Sequence, residues 1–80
     1  MKNYNQEFTI SVHLSDKLRH INVRPKETTD GVAYFGCFLD KKEITQLRKE
    51  LYGHWEQLWG NLDAATIESI GKEIEKKVLS

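Results

Sequence analysis

Lys41-Lys42-Glu43-Ile44-Thr45-Gln46-Leu47-Arg48-Lys49-Glu50-Leu51-Tyr52-Gly53-His54-Trp55-Glu56-Gln57-Leu58-Trp59 is the stretch on which the fold turns. Wound as a helix, it gathers Ile44, Leu47, Leu51, Tyr52, Trp55, Leu58 and Trp59 into one arc of roughly 140°. Asp40 with Glu43 would then form a cap of the capping-box type. Drawn out as strands, the same residues make a hairpin. Asp40-Lys41-Lys42-Glu43 turns the chain after Leu39, and Tyr52-Gly53 turns it again. Pairing around Tyr52-Gly53 sets Leu47 opposite Leu58 and Lys49 opposite Glu56, two favourable cross-strand pairs. Gly53 suits a turn and is awkward in mid-helix. Periodicity alone favours the helix.

The flanks are easier to read. Upstream, Phe8-Thr9-Ile10-Ser11-Val12-His13-Leu14 alternates strictly, the mark of a half-buried strand. Ser15-Asp16-Lys17 supplies a polar turn, and residues 18–24 follow as a second strand with Ile21 and Val23 on one face, ended by Pro25. Residues 25–31 read as a loop closed by Asp30-Gly31, and the apolar run 32–39 as a central strand. Residues 1–6 are polar and expected to fray. Downstream, Asp63 is a plausible N-cap for a helix in which Ile67, Ile70, Ile74 and Val78 form one apolar stripe. Gly71 lies on that stripe, where a bare backbone suits close approach to a sheet.

The run from Gly53 through Trp55, Trp59, Gly60 and Asn61 to Asp63, followed by Ile67-Glu68-Ser69-Ile70-Gly71-Lys72-Glu73-Ile74-Glu75, resembles small uncharacterised bacterial proteins of Bacteroidetes type. The resemblance covers about the last third of the chain. It implies an antiparallel β-meander with a tryptophan on the last strand and the Ile-Gly-x-x-Ile-Glu stretch on a closing helix. It implies no activity. With it, the expected fold is a single α+β domain over residues 1–80: strands near 7–14, 18–24, 32–39, 44–50 and 54–59, then a helix near 63–78. The alternative is three strands followed by two helices.

Composition narrows the function classes. Eighty residues allow one small core. Twelve Lys+Arg against twelve Asp+Glu give zero net charge, without the basic excess that a dedicated nucleic-acid binder usually shows. The apolar runs are too short to span a membrane, and the first residues lack the apolar segment of a signal peptide. One cysteine, Cys37, precludes an internal disulfide. A cytoplasmic location is expected.

Few residues could carry chemistry. His13, His20, His54 and Cys37 are the soft metal ligands, yet no His-x-His, Cys-x-x-Cys or His-x-x-x-His spacing occurs, and no metal or cofactor is expected. Cys37 sits in the most apolar run, where burial raises a thiol pKa instead of activating it. Carboxylate pairs such as Glu73/Glu75 and Asp40/Glu43 lie in polar stretches, and no glycine-rich phosphate loop occurs, so no enzyme activity is expected. The basic second strand (Lys17, Arg19, Arg24 and Lys26, with His20) beside Tyr34 and Phe35 suggests a nucleic-acid-associated domain as the alternative function. Asp16, Glu27 and Asp30 neutralise it.

Trp55 and Trp59 lie four residues apart. As strand residues they fall on one face together with Gln57, near Arg48. If that face is turned away from the helix, Trp55, Trp59, Arg48 and Gln57 form a candidate interaction surface. The expected function is therefore a small noncatalytic protein-interaction or self-associating module, a homodimer or the partner of another protein. Thr45 reads as an ordinary strand position at which valine is tolerated.

Overall fold

The computed structural model describes residues 6–79; the expected fraying of residues 1–6 falls, except for Gln6, outside them. Five strands are followed by one helix: β1 (Phe8–Leu14), β2 (Lys17–Glu27), β3 (Ala33–Leu39), β4 (Lys42–Lys49), β5 (Trp55–Gly60) and α1 (Ala64–Leu79). The strands pair antiparallel in sequence order, a simple meander. Residues 41–59 are thus two strands, and the three-strand, two-helix alternative is excluded. The chain reverses between them through a single 3-10 turn, Leu51–Gly53, closed by Glu50 N–H donating to His54 O at 2.6 Å.

Two β-bulges account for the misleading helical period. Cys37 pairs with Thr45 but Phe38 with Glu43, so Ile44 is an extra residue in β4. Gln46 pairs with Trp59 but Leu47 with Gln57, so Leu58 is an extra residue in β5. Each bulge interrupts strict alternation and moves the next apolar residue from a spacing of two to one of three or four. The register expected around Tyr52-Gly53 is corrected as well: Leu47 faces Gln57, Arg48 faces Glu56 and Lys49 faces Trp55.

The two-residue turns are tighter than expected. Ser15-Asp16 and Asp40-Lys41 each hold both central residues at positive φ (51° and 66°; 52° and 70°), the type I′ geometry that matches strand twist. β2 runs on through Pro25, which does not end it. In a two-residue hairpin the closing pair, here Leu14–Lys17, is hydrogen-bonded, and such pairs recur at Val12–Arg19, Ile10–Ile21 and Phe8–Val23. Pro25 would be the next such position, but β1 begins at Phe8 and offers no partner there. The missing N–H therefore breaks no bond, and Pro25 still pairs with Phe35 on its other side.

α1 packs on one sheet face, chiefly along β1 and also against β5 and β4. Its Ile67, Ile70 and Ile74 are buried with Ile10, Val12, Ile21, Val23, Cys37, Leu47 and Trp55, and Val78 packs beside them. Each such side chain contributes about 1.5–3 kcal/mol relative to exposure. Gly71 brings the helix backbone onto the Trp55 ring; a methyl group there would stand 2.5 Å from Trp55 Cγ and Nε1. Asp63 caps the helix, its backbone O accepting from Ile67 N–H at 3.0 Å and its carboxylate from the Thr66 hydroxyl. Those bonds, the Thr66 hydroxyl first and then nearby amides, hold the Asp63 carboxyl below the usual range. Among the described residues no helix is long and apolar enough to cross a membrane.

Candidate functional site

The sheet face away from α1 is mostly polar and internally paired. Arg24, Lys26, Phe38 and Glu43 share it, because Asn22 pairs with Phe38, Lys26 with Tyr34, and Phe38 with Glu43. Arg24 lies 2.6 Å from Glu7 and stacks over Phe38, its guanidinium 4.3 Å from the ring centroid. Lys26 reaches Glu43 at 3.4 Å, and Gln46 Nε2 donates to the same carboxylate at 3.2 Å. On the helix face, Arg19 pairs with Asp40 at 3.3 Å. Three of the four cations that suggest a phosphate-binding strand, Arg24, Lys26 and Arg19, are thus engaged by Glu7, Glu43 and Asp40. Phe35, expected beside them, points to the helix face and tilts against Trp55 with 5.8 Å between ring centroids.

The four residues expected to form one surface divide between the two faces. The Leu58 bulge inverts the alternation between Gln57 and Trp59. Trp55 and Gln57 consequently face the helix, while Trp59 joins Arg48 on the open side. Trp55 is 8% exposed and Trp59 53%. The Trp55 indole N–H donates to Glu75 at 2.9 Å, and Lys49 meets that carboxylate at 3.1 Å. The indole first and then the Lys49 ammonium hold the Glu75 carboxyl below its usual range. Arg48 is pinned by Glu50 at 2.6 Å and Glu56 at 3.0 Å. Hydrogen-bonded to Glu50, its guanidinium is pushed above its already high value, and it draws the Glu50 carboxyl down in return.

Gln57 is a clasp, not a contact residue. Its Oε1 accepts from Leu62 N–H at 3.1 Å and from the Thr45 hydroxyl at 2.8 Å, and its Nε2 donates to Leu62 O at 3.1 Å. Thr45, wholly buried, also has Trp59 O within reach of that hydroxyl at 2.9 Å. Valine at 45 would remove the donor, which corrects the expectation of tolerance. Gly60 completes the device. Its φ of +116° is one that side-chain-bearing residues avoid, and a Cβ there would lie 2.7 Å from Ile44 O.

Together the two bulges build a feature that alternation could not predict. Ile44 and Leu58 come to the same end of β4–β5. With Trp59, Gly60, Leu62, Lys42, Glu43 and Asn61 they line an open groove of about 720 Å³. Leu58 is 40% exposed, so it and Trp59 offer adjoining apolar surface to solvent. Ile44 and Leu58 were missed in the sequence; the one signal was their failure to alternate with Leu47 and Trp59.

The metal-ligand types are dispersed. His20 shares a 2.9 Å hydrogen bond with Ser11, and Cys37 is buried on the helix face. Among the described residues no three His, Cys, Asp or Glu side chains come together as a metal site would require. Burial first, and the Glu43 carboxylate second, push the Cys37 thiol up to about 12, so it stays protonated at neutral pH. Comparison with family models, with curated proteins and with solved structures finds no match to this chain.

Proposed function

We propose that the chain is a noncatalytic interaction module whose groove of Ile44, Leu58, Trp59 and Leu62 receives an apolar anchor from a partner polypeptide. The observation that carries this reading is the pair of bulges. They place Leu58 and Trp59 side by side on the surface, at one end of a face whose middle is covered by ion pairs. An exposed aromatic beside an aliphatic groove, rimmed by Lys42, Glu43 and Asn61, has the apolar centre and polar edge of a recognition site. A cytoplasmic setting agrees with the single buried thiol. The nucleic-acid reading is less well supported, since Glu7 and Glu43 already occupy Arg24 and Lys26.

Selection of displayed random peptides against the folded chain tests the reading. Selected binders should carry an aromatic or aliphatic anchor and shift the amides of Ile44, Leu58 and Gly60. They should lose at least tenfold in affinity for Trp59→Ala, a variant that keeps the wild-type melting temperature within a few degrees. Binders that map elsewhere and hold Trp59→Ala equally well contradict it.

A further inference from the structure

The two edges of the sheet are guarded unequally. β5 is kinked by the Leu58 bulge and carries Glu56, two devices that discourage strand addition. β1 has none. Phe8-Thr9-Ile10-Ser11-Val12-His13-Leu14 contains no Lys, Arg, Asp, Glu, Pro or Gly, and its pairing with β2 runs without a register shift. Of the other strands only β3 is likewise uncharged, and it holds Gly36 and lies in the centre of the sheet. Among the described residues, β2 is the only strand paired with β1. The bonded pairs with β2 fall at Leu14, Val12, Ile10 and Phe8, so the backbone groups of Thr9, Ser11 and His13 point outward from the sheet.

We propose that β1 is a self-association edge, pairing antiparallel with β1 of a second copy about a two-fold axis at Ser11. The occupant follows from the pattern of this strand. Centred on Ser11, the pairing sets Thr9 against His13 of the partner subunit, Ser11 against Ser11 of the partner subunit, and His13 against Thr9 of the partner subunit. All three are hydrogen-bonded pairs that use the outward groups. The same register places Ile10 against Val12 of the partner subunit and Phe8 against Leu14 of the partner subunit. Apolar residues thereby continue the helix-covered face, and Thr9, Ser11 and His13 continue the polar one. A slip of one residue would put apolar side chains on the polar face. Phe8 and Leu14, half-buried in the single chain, are covered by each other. The product is a continuous ten-stranded sheet backed by two helices. This contact is separate from the Trp59 groove and does not rest on it.

Cysteine cross-linking and sedimentation test the register. At hydrogen-bonded pairs the Cα atoms stand about 5.5 Å apart, within the span a disulfide bridges. With oxidised glutathione, Ser11→Cys should form a covalent dimer at least tenfold faster than Thr9→Cys, which faces an imidazole; buried Cys37 stays silent in both. Sedimentation should show a wild-type dimer, at least tenfold weakened by Ser11→Lys, which sets two ammonium groups side by side. Equal cross-linking of the two cysteine variants, a monomeric wild type, or a Ser11→Lys dimer of unchanged affinity overturns the inference. Trp59→Ala should retain this dimer while losing groove-selected peptides, so each proposal can fail without the other.

Discussion

Thr45 shows how much of this surface depends on one hydroxyl. With Gln57 Oε1 and Trp59 O both within reach of its one proton, the hydroxyl joins β4 to the far side of the β5 bulge, and Gln57 carries the tie on to Leu62 before α1. Thr45→Val keeps the volume and removes the donor, so it should cost about 1–3 kcal/mol in denaturant unfolding and speed exchange of the amides near Trp59. Unchanged stability would mean that the bulge is held by other contacts. Cys37 makes a second case. Above pH 9 the unfolded thiol loses its proton while the native thiol, near 12, retains it. The native state then binds more protons, and stability falls as pH rises. The loss attributable to this residue is on the order of 1 kcal/mol per pH unit in the middle of the window between 9 and 12. Comparing wild type with Cys37→Ala isolates it: the variant should show the shallower alkaline decline, and the native wild-type thiol should label slowly with a maleimide at pH 7. Rapid native-state labelling would contradict its burial.

At the scale of elements, legibility followed regularity. β1 was readable because seven residues alternate without exception, and α1 because an apolar stripe at spacings of three and four follows a capping Asp63. β4 and β5 were not, because Ile44 and Leu58 each add a residue, and a bulged strand imitates the helical period over a short window. The same two residues explain the partial reading of the site. Strict alternation puts Trp55, Gln57 and Trp59 on one face without saying which, and the Leu58 bulge parts Trp59 from the other two. Pro25 misled for a different reason: whether a missing N–H matters depends on where the neighbouring strand begins. The helix–sheet contact yields a prediction whose sign discriminates. On helix propensity alone, Gly71→Ala should stabilise by about 1 kcal/mol. The methyl group would collide with the Trp55 ring, and overpacking costs about 1–3 kcal/mol. Net destabilisation in thermal or denaturant melts is therefore expected, while a stabilised Gly71→Ala would mean that Trp55 does not rest on the helix backbone.

A helix covers one sheet face and ion pairs cover the middle of the other, while the bulges expose adjoining apolar surface of Leu58 and Trp59 at one end. The proposed interaction reading rests on this asymmetry, which depends on the division of the tryptophans. Trp55 is bonded to Glu75 and packed on Gly71, whereas Trp59 opens to solvent. Removing Trp55 should cost about 3–5 kcal/mol when it is cut to alanine, as for any buried aromatic; phenylalanine is the gentler replacement. The most direct test is acrylamide quenching of tryptophan emission in Trp55→Phe and Trp59→Phe, one indole remaining in each. The account predicts red-shifted, readily quenched emission from Trp59 in Trp55→Phe, and blue-shifted, quencher-resistant emission from Trp55 in Trp59→Phe. Equal shielding or equal exposure of the two indoles in folded variants would contradict it.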